Sequence, residues 1–203
     1  MSRLVETIKV DNGKLLNICY HNERMGRSIK DLFGNKGDVH LEKIIDVPHY
    51  ALKGVFKCRV IYDEKNIEIE FIPYVLQPVR SLRLVNDDSI SYSYKFTDRT
   101  KIERLMDLRG GCDDILIIKN GMVTDTSYAN VVFRDFNGNW VTPSTCLLKG
   151  TRRFNLLNNR IITETDIHVS DLNHFNEIML INAMIGFGES EKIPITELIE
   201  TPL

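Results

Sequence analysis

Four short turn-forming runs, each set between two apolar segments, restrict this chain more than any other feature of its sequence. Asp11-Asn12-Gly13 separates residues 4–10 from 15–20, and a second turn at 63–66 separates 55–62 from 67–72. Asn120-Gly121 stands between 115–118 and 122–126, and Asn137-Gly138-Asn139 between 130–136 and 140–142. Asparagine and glycine accept the positive φ that tight antiparallel connections demand, so each run predicts a hairpin. Alternation in Lys57-Cys58-Arg59-Val60-Ile61-Tyr62 predicts a sheet covered on one face. Helical spacing appears at 21–32, stopped by Gly34, and at 98–109, where Ile102, Leu105, Met106 and Leu108 recur among charges before Gly110-Gly111. Thr97 or Asp98 is the expected cap of that second helix. A helix over 151–157, strands over 80–85, 160–163 and 177–182, and a short helix from Ser170 complete the reading. Two prolines bracket 73–78, which reads as a connection between lobes of 1–79 and 80–203. The result is a two-lobed α+β chain with hairpins in both halves. It contains no GxGxxG or Walker loop, which sets it apart from doubly wound nucleotide folds.

The chain's 203 residues suffice for a sizeable core, and a formal net charge of -2 gives no reason to expect nucleic acid or an anionic membrane as a partner. No apolar run approaches the roughly 18 residues that span a bilayer, and the first residues lack a signal peptide's apolar core. The cytoplasm is therefore the expected location. Cys19, Cys58, Cys112 and Cys146 are scattered and predict free, buried or half-buried thiols. His40, His49, His168 and His174 are unclustered, and no metal site is expected.

Three places carry candidate chemistry. Lys95 lies in a strand-like run just before a helix, Asp125 ends an apolar strand, and Gly150-Thr151-Arg152-Arg153 opens a helix. Taken singly they read as a solvated strand end, a turn former and a loop-to-helix junction. Together they offer what pyridoxal phosphate requires: an amine for its aldehyde, an anion facing its pyridinium nitrogen, and helix-start N–H groups for its phosphate. Arg24, three residues after His21, adds a guanidinium suited to bidentate phosphate binding. Arg99, four residues after Lys95, is a cation that would favour a neutral amine.

Seven segments in order resemble the class IV aminotransferase family, the fold-type IV enzymes that depend on pyridoxal phosphate. Leu4-Val-Glu-Thr-Ile8 is similar to the family's "FETI" strand, His21-Asn-Glu-Arg24 to its "HxxR", and Lys95-Phe-Thr-Asp-Arg99 to its "KxxxR". Asp125-Thr-Ser-Tyr-Ala-Asn130 is similar to "ETSxxN", Val141-Thr-Pro143 to "xTP", Leu148-Lys-Gly-Thr-Arg-Arg153 to "LxGxTR", and Glu177-Ile-Met-Leu-Ile-Asn182 to the late "EvfltN" strand. Within the family the chain looks most like 4-amino-4-deoxychorismate lyases.

The resemblance implies a D-amino-acid-aminotransferase-like fold with a trimmed N-terminal lobe, since the "YGDGxF" approach to the first strand is missing. It implies pyridoxal 5'-phosphate attached to Lys95, with Asp125 at the ring nitrogen. It further implies phosphate contacts from Arg24, Gly150 and the amides of Thr151 and Arg152, a small amine substrate, and a homodimer. The sequence also departs from the pattern. The ring-nitrogen glutamate is Asp125, the threonine of "LxGxTR" is Arg152, and a later serine or threonine is Ala183. Three readings follow: a lyase releasing pyruvate and 4-aminobenzoate in the folate pathway, an aminotransferase of branched-chain or D-amino acids, and a non-catalytic relative of these enzymes.

Overall fold

The computed structural model describes residues 3–34 and 38–199, which pack as two units. The first ends at Leu76 and also takes in Tyr94–Asp98; the second comprises Gln77–Ser93 and the chain from Arg99 onward.

The first unit is a four-stranded antiparallel sheet in the order β2-β1-β3-β4, from β1 (Leu4–Asp11), β2 (Lys14–Leu15), β3 (Val55–Tyr62) and β4 (Ile67–Pro73). Its helices are α1 (Ile18–Phe33) and the single turn α2 (Leu41–Ile44). The pleat sends Leu4, Ile8 and Val10 of β1 and Phe56, Cys58, Val60 and Tyr62 of β3 into one core, against Met25 of α1. Glu6 has the same parity as those β1 residues and is buried with them. The strand expected at 15–20 is cut to two residues because α1 begins at Ile18, after Asn17 turns the backbone at φ 54°. Gly34, in the left-handed region at φ 73°, closes α1 by donating to the Lys30 carbonyl.

Tyr94–Asp98 runs beside the start of β1. Val5 N donates to the Lys95 carbonyl at 2.9 Å, Thr97 N donates to the Arg3 carbonyl at 2.8 Å, and Phe96 bridges Leu4. These bonds also explain a correction. Backbone bonds to β1 keep this segment out of the helix, so α3 (Thr100–Met106) starts late, with Arg99 rather than Thr97 or Asp98 at its N-cap position.

The second unit is built on β5 (Leu82–Asn86), β6 (Asp114–Lys119), β7 (Met122–Thr126), β8 (Asn130–Asp135) and β9 (Trp140–Pro143). Helix α4 (Thr151–Asn158) leads to β10 (Thr163–Thr165), β11 (Phe175–Ile181), β12 (Ile193–Pro194) and β13 (Leu198–Ile199). The sheet order is β10-β9-β8-β7-β6-β5-β13, with β11 pairing β8 and β12. β5 and β6 are parallel, joined through α3, and β6 and β7 form the Asn120-Gly121 hairpin. Strand β6 is covered on both faces, which its unbroken apolar run anticipates. Leu116 and Ile118 enter one core with Leu82, Val131 and Phe133, while Ile115 and Ile117 enter another with Ile102 and Leu105 of α3. Leu156 of α4 packs with Val132, Met179 and Ile181.

Two further expectations change. The strand foreseen at 160–163 lies at Thr163–Thr165, because Arg160, at φ 56°, still turns the chain out of α4. The helix from Ser170 is a 3-10 turn over Val169–His174. Of the four cysteines, Cys58 and Cys112 are buried, Cys146 is partly covered and Cys19 is exposed. No helix among the described residues is long and apolar enough to cross a membrane.

Candidate active site

In the first unit a buried charge network surrounds the arginine that the sequence singles out. Arg24 donates from Nε to Glu6 Oε1 at 2.9 Å and from Nη2 to Glu6 Oε2 at 2.6 Å, a two-pronged pair. His21 Nδ1 stands 2.6 Å from the same Oε2. Glu6 is 1 % exposed, His21 0 % and Arg24 6 %. Burial pushes the Glu6 carboxyl upward, but the charge of Arg24 and the bonds from His21 and Arg24 outweigh it and hold the group at about 2. Burial pushes His21 down, and the charges of Arg24 and Lys95 act in the same direction. The bond and charge of Glu6 oppose these, but the net direction is down, which favours a neutral imidazole, and a carboxylate at Nδ1 calls for the tautomer with its proton there. Lys95 is half-buried in this unit, and its charge reaches the network through His21.

The α1 spacing explains the arrangement. Residues three apart share a helix face, so His21 and Arg24 both meet the β1 position occupied by Glu6. Sequence reasoning assigned Glu6 no role. Its signal was a carboxylate at an inward parity position of an otherwise apolar strand.

In the second unit, Asp125 is 6 % exposed near the end of β7. Its Oδ1 accepts from Asn130 Nδ2 at 2.8 Å and its Oδ2 from the Leu148 amide at 2.9 Å. Burial raises its carboxyl to about 6, against these donors and the charge of Arg153. Asn130 is the hinge of this corner. It pairs with Asp125 across the tight turn and donates again to the Leu148 carbonyl at 2.8 Å. Its Oδ1 lies where a Cβ on Gly150 would come within 2.1 Å. Gly150 has φ -68°, an ordinary value, so its glycine is required for space rather than for backbone freedom. Gly150→Ala is expected to push Asn130 off Asp125 and cost about 1–3 kcal/mol, the usual range for overpacking. A thermal midpoint equal to wild type would sink that expectation.

Gly150 is the N-cap of α4, and Phe154 N is bonded to its carbonyl at 2.9 Å. The amides of Thr151, Arg152 and Arg153 precede the first intrahelical bond, as every helix start requires. Thr151 and Arg153 are buried. Arg153 donates to the Pro143 carbonyl at 2.8 Å and also pairs with Glu164, so it ties α4 to β9 and β10. Sequence reasoning missed this structural role, as it missed the Leu148 amide, which no side-chain pattern reveals. The structure thus groups Arg24 and Lys95 in the first unit, and Asp125, Gly150, Thr151 and Arg152 in the second.

A second buried acid stands at the start of β6. Asp114 is 0 % exposed; its Oδ1 accepts from the Ile115 amide at 2.8 Å, while Oδ2 is buried without a hydrogen bond among the described residues. Burial raises its pKa, and the nearby Ser127 and Thr126 hydroxyls lower it only in part. A raised carboxyl binds its proton more tightly when folded, so stability falls as pH climbs from the unfolded value of 3.8 through the folded one. Asp114→Asn, free of that penalty, is expected to gain about 1 kcal/mol at pH 8 and little at pH 4. Denaturant unfolding at both pH values checks this; equal stability of variant and wild type at pH 8 excludes it.

The chain belongs to the class IV amino-transferases: the family profile, described as amino-transferase class IV, matches residues 81–193. A Haemophilus influenzae protein described only as uncharacterized is 39% identical over 188 residues, covering 92% of this chain and all of that protein. The aminodeoxychorismate lyase of Saccharomyces cerevisiae is 28% identical, covering 81% of this chain and 51% of the yeast protein. Among solved structures, a protein of Haemophilus somnus 129PT, provisionally assigned as a 4-amino-4-deoxychorismate lyase, superposes with a TM-score of 0.84 at 38% identity. That match covers 92% of this chain and 98% of the other. A hypothetical aminotransferase from Mycobacterium tuberculosis in its PLP-bound form gives a TM-score of 0.77 at 16% identity, over 97% of this chain and 81% of that one. A likeness that distant speaks for the fold alone. The α+β architecture, with two sheets and a small N-terminal lobe, is that of the fold-type IV enzymes.

Proposed function

We propose that this chain is a pyridoxal-phosphate enzyme of the class IV family and that its reaction is the lyase one, conversion of 4-amino-4-deoxychorismate to pyruvate and 4-aminobenzoate. The observation that carries the cofactor assignment is Asp125, a buried carboxylate whose hydrogen-bond donors are the neutral Asn130 side chain and Leu148 amide. A carboxylate at about 6 is ionised at neutral pH at a cost in stability, and a cationic ring nitrogen beside it repays that cost. The residues present fit the group in a second respect. Arg152 Nε, on the second residue of α4, is buried without a hydrogen bond among the described residues.

When bound, pyridoxal phosphate supplies an aldehyde carbon for amines and a ring that accepts electrons from bonds broken beside the amine nitrogen. Lys95 Nζ would be the amine that holds it and would serve as the base that takes up and returns a proton. Asp125 keeps the ring nitrogen protonated. Asn130 orients Asp125 through its own bond and through Leu148. Arg24, with Nε and Nη2 committed to Glu6, and the amides of Thr151 and Arg152 hold the phosphate. Arg99 is the cation four residues beyond Lys95.

The lyase is favoured by relatives whose descriptions bear that name, among them one 38% identical over nearly its full length. The aminotransferase reading draws on the same residues and on the Mycobacterium tuberculosis fold neighbour. A homodimer acting on a small amine in the cytoplasm accompanies either proposal. The test is to supply the protein with pyridoxal phosphate and 4-amino-4-deoxychorismate. Equimolar pyruvate and 4-aminobenzoate support the lyase. Amino transfer to a 2-oxo acid without pyruvate release replaces it with the aminotransferase, and neither product leaves a non-catalytic relative.

A further inference from the structure

We propose that the second unit carries a further binding site, a cavity beside the Asn120-Gly121 hairpin that takes a small apolar carboxylate, with Lys119 as the residue that receives it. The cavity holds about 290 Å³ and is formed within this unit alone, between residues 90–93, the hairpin of β6 and β7, and residues 145–147. That is close to the lower end of the range for small-molecule sites, roughly 300–1,000 Å³. Asp125, Gly150, Thr151 and Arg152 do not line it, so it is separate from the groups assigned to the cofactor.

The wall sets the chemistry of the ligand. Its fixed charge has one sign. Lys119 Nζ donates to the Ile90 carbonyl at 2.6 Å, which holds the ammonium at the wall and leaves two of its three N–H groups for a ligand. No carboxylate lines the cavity among the described residues. Asp88, the acid bonded to the hairpin, is taken up by the Asn120 amide at 2.6 Å. Burial pushes the Cys146 thiol up to about 11, so that part of the wall is neutral. A half-buried ammonium with only a carbonyl as partner gains a charge-assisted bond from an anion. The body of the ligand meets Met122, Leu147 and the Tyr92 ring, the last two packed on the core under α3. Thr124 and Thr145 spend their hydrogens on the Ile117 and Val123 carbonyls, at 2.7 and 2.6 Å, so their oxygens are left as acceptors for a polar substituent. Ser91, Ser93 and Asn120 add donors. The position gives such a site a use. Ser93 is two residues before Lys95, Thr124 precedes Asp125, and Leu147 precedes the Leu148 amide that binds Asp125 at 2.9 Å. An occupant therefore touches the segments that carry the amine and the carboxylate, and acts as an effector. Only this effector role rests on the cofactor assignment; the binding site does not.

The test uses benzoate as the probe and benzamide as its uncharged control. Binding is read from the thermal midpoint of the protein and from the rate at which Cys146 is alkylated, followed peptide by peptide, with exposed Cys19 as the internal reference. Benzoate is expected to raise the midpoint and to slow Cys146 alkylation several-fold while Cys19 reacts as before; benzamide should do much less. Lys119→Gln is expected to weaken benzoate about tenfold or more, the loss of a bond to a charged group. Cys146→Met, which narrows the cavity and keeps Lys119, should weaken it as well. Alkylation of wild-type Cys146 at one rate with and without benzoate overturns the site, and this reading needs no variant to fold. Wild-type benzoate affinity in Lys119→Gln overturns the role of the ammonium. Saturating benzoate is further expected to change pyridoxal phosphate affinity several-fold, and an unchanged affinity overturns the effector role. Should benzoate protect Cys146 in a protein that takes up no pyridoxal phosphate, the cofactor assignment falls while the carboxylate site stands.

Discussion

Lys95→Ala is expected to abolish the visible absorption band that the wild-type protein develops with pyridoxal phosphate, and to lower turnover by roughly 10^4-fold or more. The loss should be chemical rather than structural. Lys95 is fixed by its backbone, through the carbonyl that accepts from Val5 N, and alanine keeps that bond. Its side chain is half-buried and takes no place in the cores of either unit. A second readout is independent of turnover. The charge of Lys95 helps push His21 down, so removing it should let the imidazole pKa rise, as NMR titration would show. A band that persists in the variant would mean that another amine attaches the cofactor.

Glu6→Ala is expected to be the most destabilising single change in the first unit. It leaves the Arg24 guanidinium, 6 % exposed, without its two-pronged partner and His21 without the carboxylate facing its proton. Removing one member of a buried ion pair costs about 3–5 kcal/mol, mainly from the charge left uncompensated. For a chain of this size that corresponds to a fall of roughly 10 °C in the thermal midpoint. Removing both charges, in Glu6→Ala with Arg24→Ala, should restore part of the loss, because no isolated charge remains.

The pH dependence follows from the same shift. The Glu6 carboxyl is depressed from 4.5 to about 2, so its contribution is complete above 4.5 and disappears as pH falls through about 2. The gap between wild type and Glu6→Ala should accordingly narrow across that acid window. A gap of under 1 kcal/mol at pH 7 would show that the pair is not the stabilising element proposed here.

Much of this molecule was legible in one dimension because the signals were local. The Asn120-Gly121 hairpin, the break at Gly34 and the apolar run through Ile115–Ile118 each depend on backbone freedom or side-chain parity within a few residues. The motif order around Lys95, Asp125 and Gly150 was likewise readable, and it led to the family to which the chain belongs. Failures came where a distant backbone decided the outcome. The start of β1 binds the backbone of 94–98 and so delays α3, and the early onset of α1 truncates β2.

The sequence by itself determined which groups are present: an amine at 95, a carboxylate at 125, a glycine at 150, arginines at 24 and 152. Tertiary structure alone decided their charge states and partners. Glu6 acquires its low pKa only because a helix face three residues deep brings His21 and Arg24 to one strand position. Asp125 is raised because the fold buries it, and the bonds from Asn130 and Leu148 and the charge of Arg153 offset that burial only in part. Whether a side chain is a surface charge or a tuned acid depends on the solvent removed from it and on the groups that replace that solvent. Those are set by residues far away in the chain, which no local pattern records.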